Sequence, residues 1–172
     1  MMCLNFCFFY DSKLIYVALN LTNFCPLQYS KSNKQALQDY GLEYDENLII
    51  ETPYKVLEGR KTTKKLLEMN NPPDAILAIH DYLAFGAIQE IKAHNLKVPE
   101  DICVVGFSNE PFSSFMELPS KSVNQFPLEM EKIAATIFLE ELENNKNVKS
   151  EKHVVLTPKL IIRKTSLRNQ KY

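Results

Sequence analysis

The chain lacks most of what specialised function classes require. Its net charge is −1 over 172 residues, so the basic excess of a nucleic-acid-binding domain is missing. Only the C-terminal end leans basic, through Arg163, Lys164, Arg168 and Lys171, and that reads as a solvated tail. Glycine is scarce, at four residues, and no glycine-rich phosphate loop can be drawn. A Gly-x-Ser-x-Gly elbow and a His-Glu-x-x-His pair are also missing. Glu129, Glu131, Glu140 and Glu141 read as solvated helix faces, so catalysis has little support and no enzyme is expected. Cys3, Cys7, Cys25 and Cys103 form no Cys-x-x-Cys pair, and no histidine stands at metal-ligand spacing from them. No metal site or cofactor is expected, and the cysteine usage fits a reducing cytoplasm. Long apolar runs are missing too. Asn5, Asp11, Lys13 and Asn20 interrupt the N-terminal stretch before it reaches the roughly 20 residues of a membrane helix. Lys13 follows the apolar start instead of preceding it, which argues against a signal peptide.

What remains is an ordinary globular composition, 45% hydrophobic, in a chain long enough for one sizeable core. From Lys34 the pattern alternates helix and strand. Lys34–Tyr40 reads as a helix end, with Gly41 as its cap. Asn47–Glu51 reads as a short buried strand. Val56–Met69 reads as a helix that Asn71-Pro72-Pro73 stops. Asp74–His80 is a second apolar strand. Asp81 then reads as the N-cap of a helix whose Leu83, Ala84, Ala87, Ile88 and Ile91 share one face. After the Val98-Pro99-Glu100-Asp101 turn, Ile102–Phe107 is a third strand, with Cys103 a small core residue. Leu128–Leu142 reads as an amphipathic helix with Met130, Ile133, Ala134, Ile137, Phe138 and Leu142 on one side. Val154–Leu156 and Leu160–Ile162 read as short strands. This order predicts an α/β fold with a mainly parallel sheet flanked by helices. Ligands of such sheets bind beyond the carboxyl ends of the strands. That rule selects Pro53-Tyr54, His80-Asp81 and Ser108-Asn109-Glu110.

The stretches PPDAILAIHDYLAFGAIQEIKAHNLKVPEDICVVGFSNEPFSSFMELP, SVNQFPLEMEKIAATIFLEEL and LTPKLIIRKTS resemble the LacI family of repressors. Asp81, Ala84, Gly86, Ala87, Val98, Pro99, Asp101, Gly106 and Arg163 fall on the family's motif positions. The resemblance covers Lys34 to Ser166. It implies a type I periplasmic-binding-protein-like fold, present incompletely and mostly as its C-terminal subdomain. It also implies a small-molecule effector (a sugar, sugar phosphate or nucleoside) and self-association, while the interrupted apolar stretches argue against a membrane partner. Operator DNA would be reached only through a helix-turn-helix headpiece, which these residues do not supply.

The chain departs from the family before residue 34. Tyr29 and Ser32 stand where an Arg and a Gly are usual, and Arg has a fork geometry that few residues replace. Residues 1–33 are therefore expected to lie outside the family and to be poorly ordered. Residues 34–166 form a partial effector-binding domain, and 167–172 a tail. A truncated form of a regulator is the first expectation. A stand-alone sugar-binding protein of a transport system and a non-functional remnant are the alternatives.

Candidate effector residues are Tyr54, His80, Asp81, Ser108 and Asn109. By resemblance Tyr54 is a stacking platform, and by residue type alone it is a loop tyrosine on its own domain. His80 reads as an effector contact or a hydrogen-bonded structural residue, and Asp81 as a helix cap or a ligand group. Ser108 stands where many relatives carry Asp, which leaves one neutral hydroxyl there. A second departure is Ser120-Lys121-Ser122, where Leu-Thr-Thr is common. The resemblance puts Leu83, Phe85, Phe115 and Met116 at the subunit interface, as an exposed apolar patch. Arg163 is expected to be structural.

Overall fold

A computed structural model of the protein describes residues 14–17 (backbone only), 34–35, 37–39, 41, 44–143 and 152–167. Five strands lie side by side in chain order: β1 (Leu14–Val17), β2 (Ala75–Ala78), β3 (Cys103–Phe107), β4 (Lys121–Asn124) and β5 (Lys159–Ile161). The first four run parallel, and β5 closes the edge antiparallel to β4. Every residue of β2 and β3 is buried. That is the pattern of parallel strands with both faces covered, and it explains their unbroken apolar runs. Register places Ile76 beside Val104, and Gly106 beside Ser122.

Among the described residues, the helices between the strands include α1 (Val56–Leu67), α2 (Asp81–Ala93), the single-turn α3 (Phe112–Phe115) and α4 (Pro127–Glu143). The main core lies between one sheet face and the α1–α2 pair. It joins Leu66 to Ile76, Ala78 and Val104, and to Leu83, Ala84, Ala87, Ile88 and Ile91 of α2. The two helices approach each other through glycines. A Cβ on Gly86 would meet Val56 O at 2.2 Å, and one on Gly59 would meet Leu83 O at 2.6 Å. No larger residue fits either position with the helices where they are. Arg60 Nε donates to Glu90 Oε2 at 2.9 Å and ties the same pair at its rim.

Several expectations are corrected. Asn47–Glu51 is not a strand. Glu46–Leu48 forms a 3-10 turn, and Asp45 Oδ1 accepts from Asn47 N at 2.8 Å. An Asp side chain that captures a nearby N–H offers the backbone an alternative to a ladder. Ile49 and Ile50 still pack on the core, from irregular backbone. Val154–Leu156 forms no strand either, and α1 ends at Leu67. The helix expected at 128–142 is present as α4, but none of its residues is buried. Amphipathic spacing guarantees an apolar stripe and not a neighbour to cover it. Among the described residues nothing does. The sheet also reaches below residue 34, because β1 pairs along its length with β2.

Residues 34–35 and 37–39 are helical. Gly41, at φ +67°, follows them and donates its N–H to Gln38 O at 3.0 Å, the left-handed stop that Gly permits. Among the described residues, no helix is long and apolar enough to cross a membrane.

Candidate functional site

The carboxyl ends of β2 and β3 meet the start of α2. Just beyond β2, His80 is extended (φ −153°, ψ 141°) and caps α2, its Nδ1 accepting from Tyr82 N at 3.4 Å. Asp81 was expected in that capping role and does not hold it. Its side chain turns inward and is 1% exposed. Oδ1 accepts from Ser122 Oγ at 2.7 Å, and Oδ2 from Glu110 N at 2.6 Å. Gly106 makes room for it, since a Cβ there would lie 2.1 Å from Asp81 Oδ1. Burial pushes the Asp81 carboxyl up to about 6, against the pull of its Ser122 and Glu110 bonds. Both oxygens are therefore engaged by hydrogen bonds inside the protein.

Beyond β3 the chain bends sharply. Ser108 (φ +100°) and Asn109 (φ +53°) both sit in backbone that L-residues rarely adopt. Such strain persists only where the surroundings enforce it, and here they do. Ser108 N donates to Val123 O at 3.0 Å, and Asn109 N to Ser122 Oγ at 2.9 Å. Arg163, which follows β5, donates from Nη2 to Asn109 Oδ1 at 2.8 Å and from Nη1 to Ser120 O at 2.8 Å. Nη1 also lies 3.3 Å from Ser113 Oγ. Asp81, Ser122, Asn109 and Arg163 thus form one brace behind the turn. Asn109 contributes its carboxamide oxygen to that brace. Ser108 stays half-buried at the turn's crest. Thr165 anchors the end of the chain, donating to Val104 O at 2.7 Å and accepting from Lys121 N at 2.9 Å.

In front of the brace is a ladder of rings. Tyr54 stacks on His80 (centroids 5.1 Å, 26°), His80 on Tyr82 (5.3 Å, 7°), and Tyr82 on Phe112 (4.9 Å, 22°). Tyr54 and Tyr82 remain 40% and 42% exposed. Desolvation holds His80 below its usual pKa, opposed by the negative charge of Glu110. The neutral ring accepts at Nδ1 and therefore carries its proton on Nε2.

Of the five candidate site residues, the fold brings Tyr54, His80 and Ser108 to this wall and draws Asp81 and the Asn109 oxygen into its support. Tyr82 and Ser122 were not singled out from sequence. Tyr82 occupies the second position of α2, where its part in the ladder depends on residues 28 and 30 positions away. Ser122 stands in the Ser120-Lys121-Ser122 segment, but only the β3–β4 register sets it beside Gly106.

The expected interface patch does not form as one surface. Leu83 is 2% exposed and belongs to the core. Its α2 position points at the sheet, as its place among the spaced apolar residues requires. Met116 packs on that core from one side. Phe85 is half-buried and tilts 60° against Phe112. Phe115 alone stands clear, at 86% exposed.

Residues 27–166 match the periplasmic binding protein-like domain family. The regulator DegA of Bacillus subtilis (strain 168), named as an HTH-type transcriptional regulator, is 34% identical over 133 residues. That alignment takes in 77% of this chain but 39% of DegA, so the chain spans about two fifths of that relative. Among solved structures, the transcription regulator CcpA of Lactococcus lactis superposes with a TM-score of 0.78 at 25% identity, covering 91% of this chain and 57% of that one. The transcriptional regulator CelR in its cellobiose complex shares the fold, with a TM-score of 0.80 at 24% identity over 90% of this chain and 46% of its own. The chain belongs to the periplasmic binding protein-like domain family, and the curated relatives it is similar to are transcriptional regulators.

Proposed function

We propose that this chain is the ligand-sensing and self-associating part of a LacI-type regulator of transcription, working in the cytoplasm and without catalysis. One observation carries the reading. Tyr54, His80, Tyr82 and the braced Ser108 turn converge at the carboxyl ends of β2 and β3, where α/β sheets bind small molecules. The ligand is a small molecule of the sugar, sugar phosphate or nucleoside kind. Operator DNA is reached only through a headpiece. These residues supply no helix-turn-helix pattern, and their net charge of −1 gives no basic face for it.

The site is one wall. A polar ligand on one wall keeps much of its surface in water, where solvent competes for each hydrogen bond. Affinity in this chain is therefore about millimolar. Calorimetric titration with cellobiose, ribose 5-phosphate and adenosine tests the reading. At least one should bind in that range and lose affinity in Tyr54→Ala. Binding of none of the three overturns it.

A further inference from the structure

We propose that the uncovered face of α4 docks a partner protein, through an amphipathic helix of that partner whose apolar stripe runs between lysines or arginines.

No residue of α4 is buried, although the helix is apolar on two sides. Leu128, Ala135, Leu139 and Leu142 recur at helical spacing and form one stripe, with Phe138 beside it. The opposite side carries Met130, Ile133 and Ile137, of which only the two isoleucines are half-buried. The stripe itself meets water: Leu128, Phe138, Leu139 and Leu142 are each more than half exposed. A helix that is apolar all round belongs between two layers, and α4 has at most one. Apolar side chains this numerous and contiguous on a surface mark a contact site. Lys152 Nζ meets Glu140 Oε2 at 2.5 Å, which ties the segment before β5 to the C-terminal half of α4. Val155 of that segment is 88% exposed and extends the apolar face.

The charge around this face selects its occupant. α4 holds five glutamates against Lys132 alone. Glu140, Glu141 and Glu143 stand at its C-terminal end, where the last turn has no basic residue. Negative charge there opposes the helix macrodipole, so an incoming cation is favoured by the carboxylates and by the carbonyl end together. The α4 of a second copy would set the same glutamates against these, and like charges across an interface cost affinity. An anionic lipid surface is repelled for the same reason. Size argues in the same direction. A 17-residue helix is about 25 Å long and presents a strip about 10 Å wide. That falls well short of the ~800 Å² per partner of a standard stable interface. It suits recognition in which one amphipathic helix lays its apolar face on a complementary surface. Lysine and arginine fit the rim, because their stems cover apolar surface while their charges reach the carboxylates.

The probe is a labelled peptide of leucine and lysine, matched to the 17 residues of α4, with its leucines at helical spacing. Two controls accompany it: the same composition with the stripe scrambled, and a striped peptide of leucine and glutamate. Each is titrated into the full chain by fluorescence anisotropy. The striped lysine peptide should bind at about micromolar and shift amide signals of α4. Phe138→Ser combined with Leu142→Ser should weaken it by about tenfold. Glu141→Gln combined with Glu143→Gln should weaken it and flatten its salt dependence. Phe115→Ser, at an exposed residue off this helix, should leave it unchanged. Absence of binding, or equal binding by either control peptide, overturns the proposal. So does binding that ignores the Phe138 and Leu142 substitutions. Shifts that fall away from α4 in the unaltered chain overturn it without relying on any variant. If those substitutions instead weaken self-association in sedimentation, or binding to phosphatidylcholine–phosphatidylserine vesicles, the face belongs to a second copy or to lipid and the proposal fails.

Discussion

Asp81 turns its carboxylate away from solvent into the seam between Gly106 and Ser122. Its pKa rises from 3.8 to about 6 on folding, so the folded state favours the protonated form. The associated stability is complete below pH 3.8 and is lost as pH climbs through 6, an effect of about 3 kcal/mol. The advantage of the native chain over Asp81→Asn should therefore shrink by about that amount between pH 4 and pH 7, read by urea unfolding. A pH-independent difference would contradict the burial argument. His80 works in the opposite sense. Its lowered pKa means stability is complete above its ordinary pKa of about 6.5 and falls as pH drops below it, so only the paired comparison isolates Asp81. Gly106→Ala puts a methyl into the Asp81 carboxylate and should cost about 1–3 kcal/mol as overpacking. In an Asp81→Ala background the same change should cost clearly less; equal costs in both backgrounds would mean the two do not meet. None of this was legible residue by residue. An Asp after a strand end reads as a helix cap, and only the distant Ser122 and Glu110 N–H reveal that it faces inward.

At the scale of elements, sequence and structure agree where burial is two-sided. β2 and β3 are apolar throughout because water touches neither face. The stripe of α2 is visible because its buried positions recur at helical spacing. Agreement fails where a local bond or a missing neighbour decides. Asp45 captures a backbone N–H and makes a turn of residues that look like a strand. α4 shows the periodicity of a covered helix and is uncovered, with Leu128, Met130, Phe138, Leu139 and Leu142 all exposed. Since α4 buries nothing, Phe138→Ser combined with Leu142→Ser should change unfolding free energy by less than about 1 kcal/mol, as surface substitutions do. A loss above about 2 kcal/mol, measured by chemical denaturation, would place these side chains in a core. Gly86→Ala, at the α1–α2 crossing, should be far more damaging although it adds one methyl, because that methyl meets backbone.

For the whole molecule, the fold class and the three strand-end loops could be read from the order of elements together with the motif spacing. The identity of the inward and outward residues at those loops could not, since the brace joins positions 81, 109, 122 and 163. Self-association should run through Phe115, the exposed member of the expected interface set. Phe115→Asp should weaken it at least tenfold in sedimentation equilibrium, and an unchanged association constant would exclude that surface. Small ligands are proposed to bind on the wall made by the ends of β2 and β3. Amide chemical-shift mapping of the full chain during titration with adenosine tests it most directly. Shifts should concentrate at Tyr54, at residues 79–82 and at residues 108–110, with α4 and β5 unmoved. Shifts clustered on α4, or spread evenly over the chain, would contradict it.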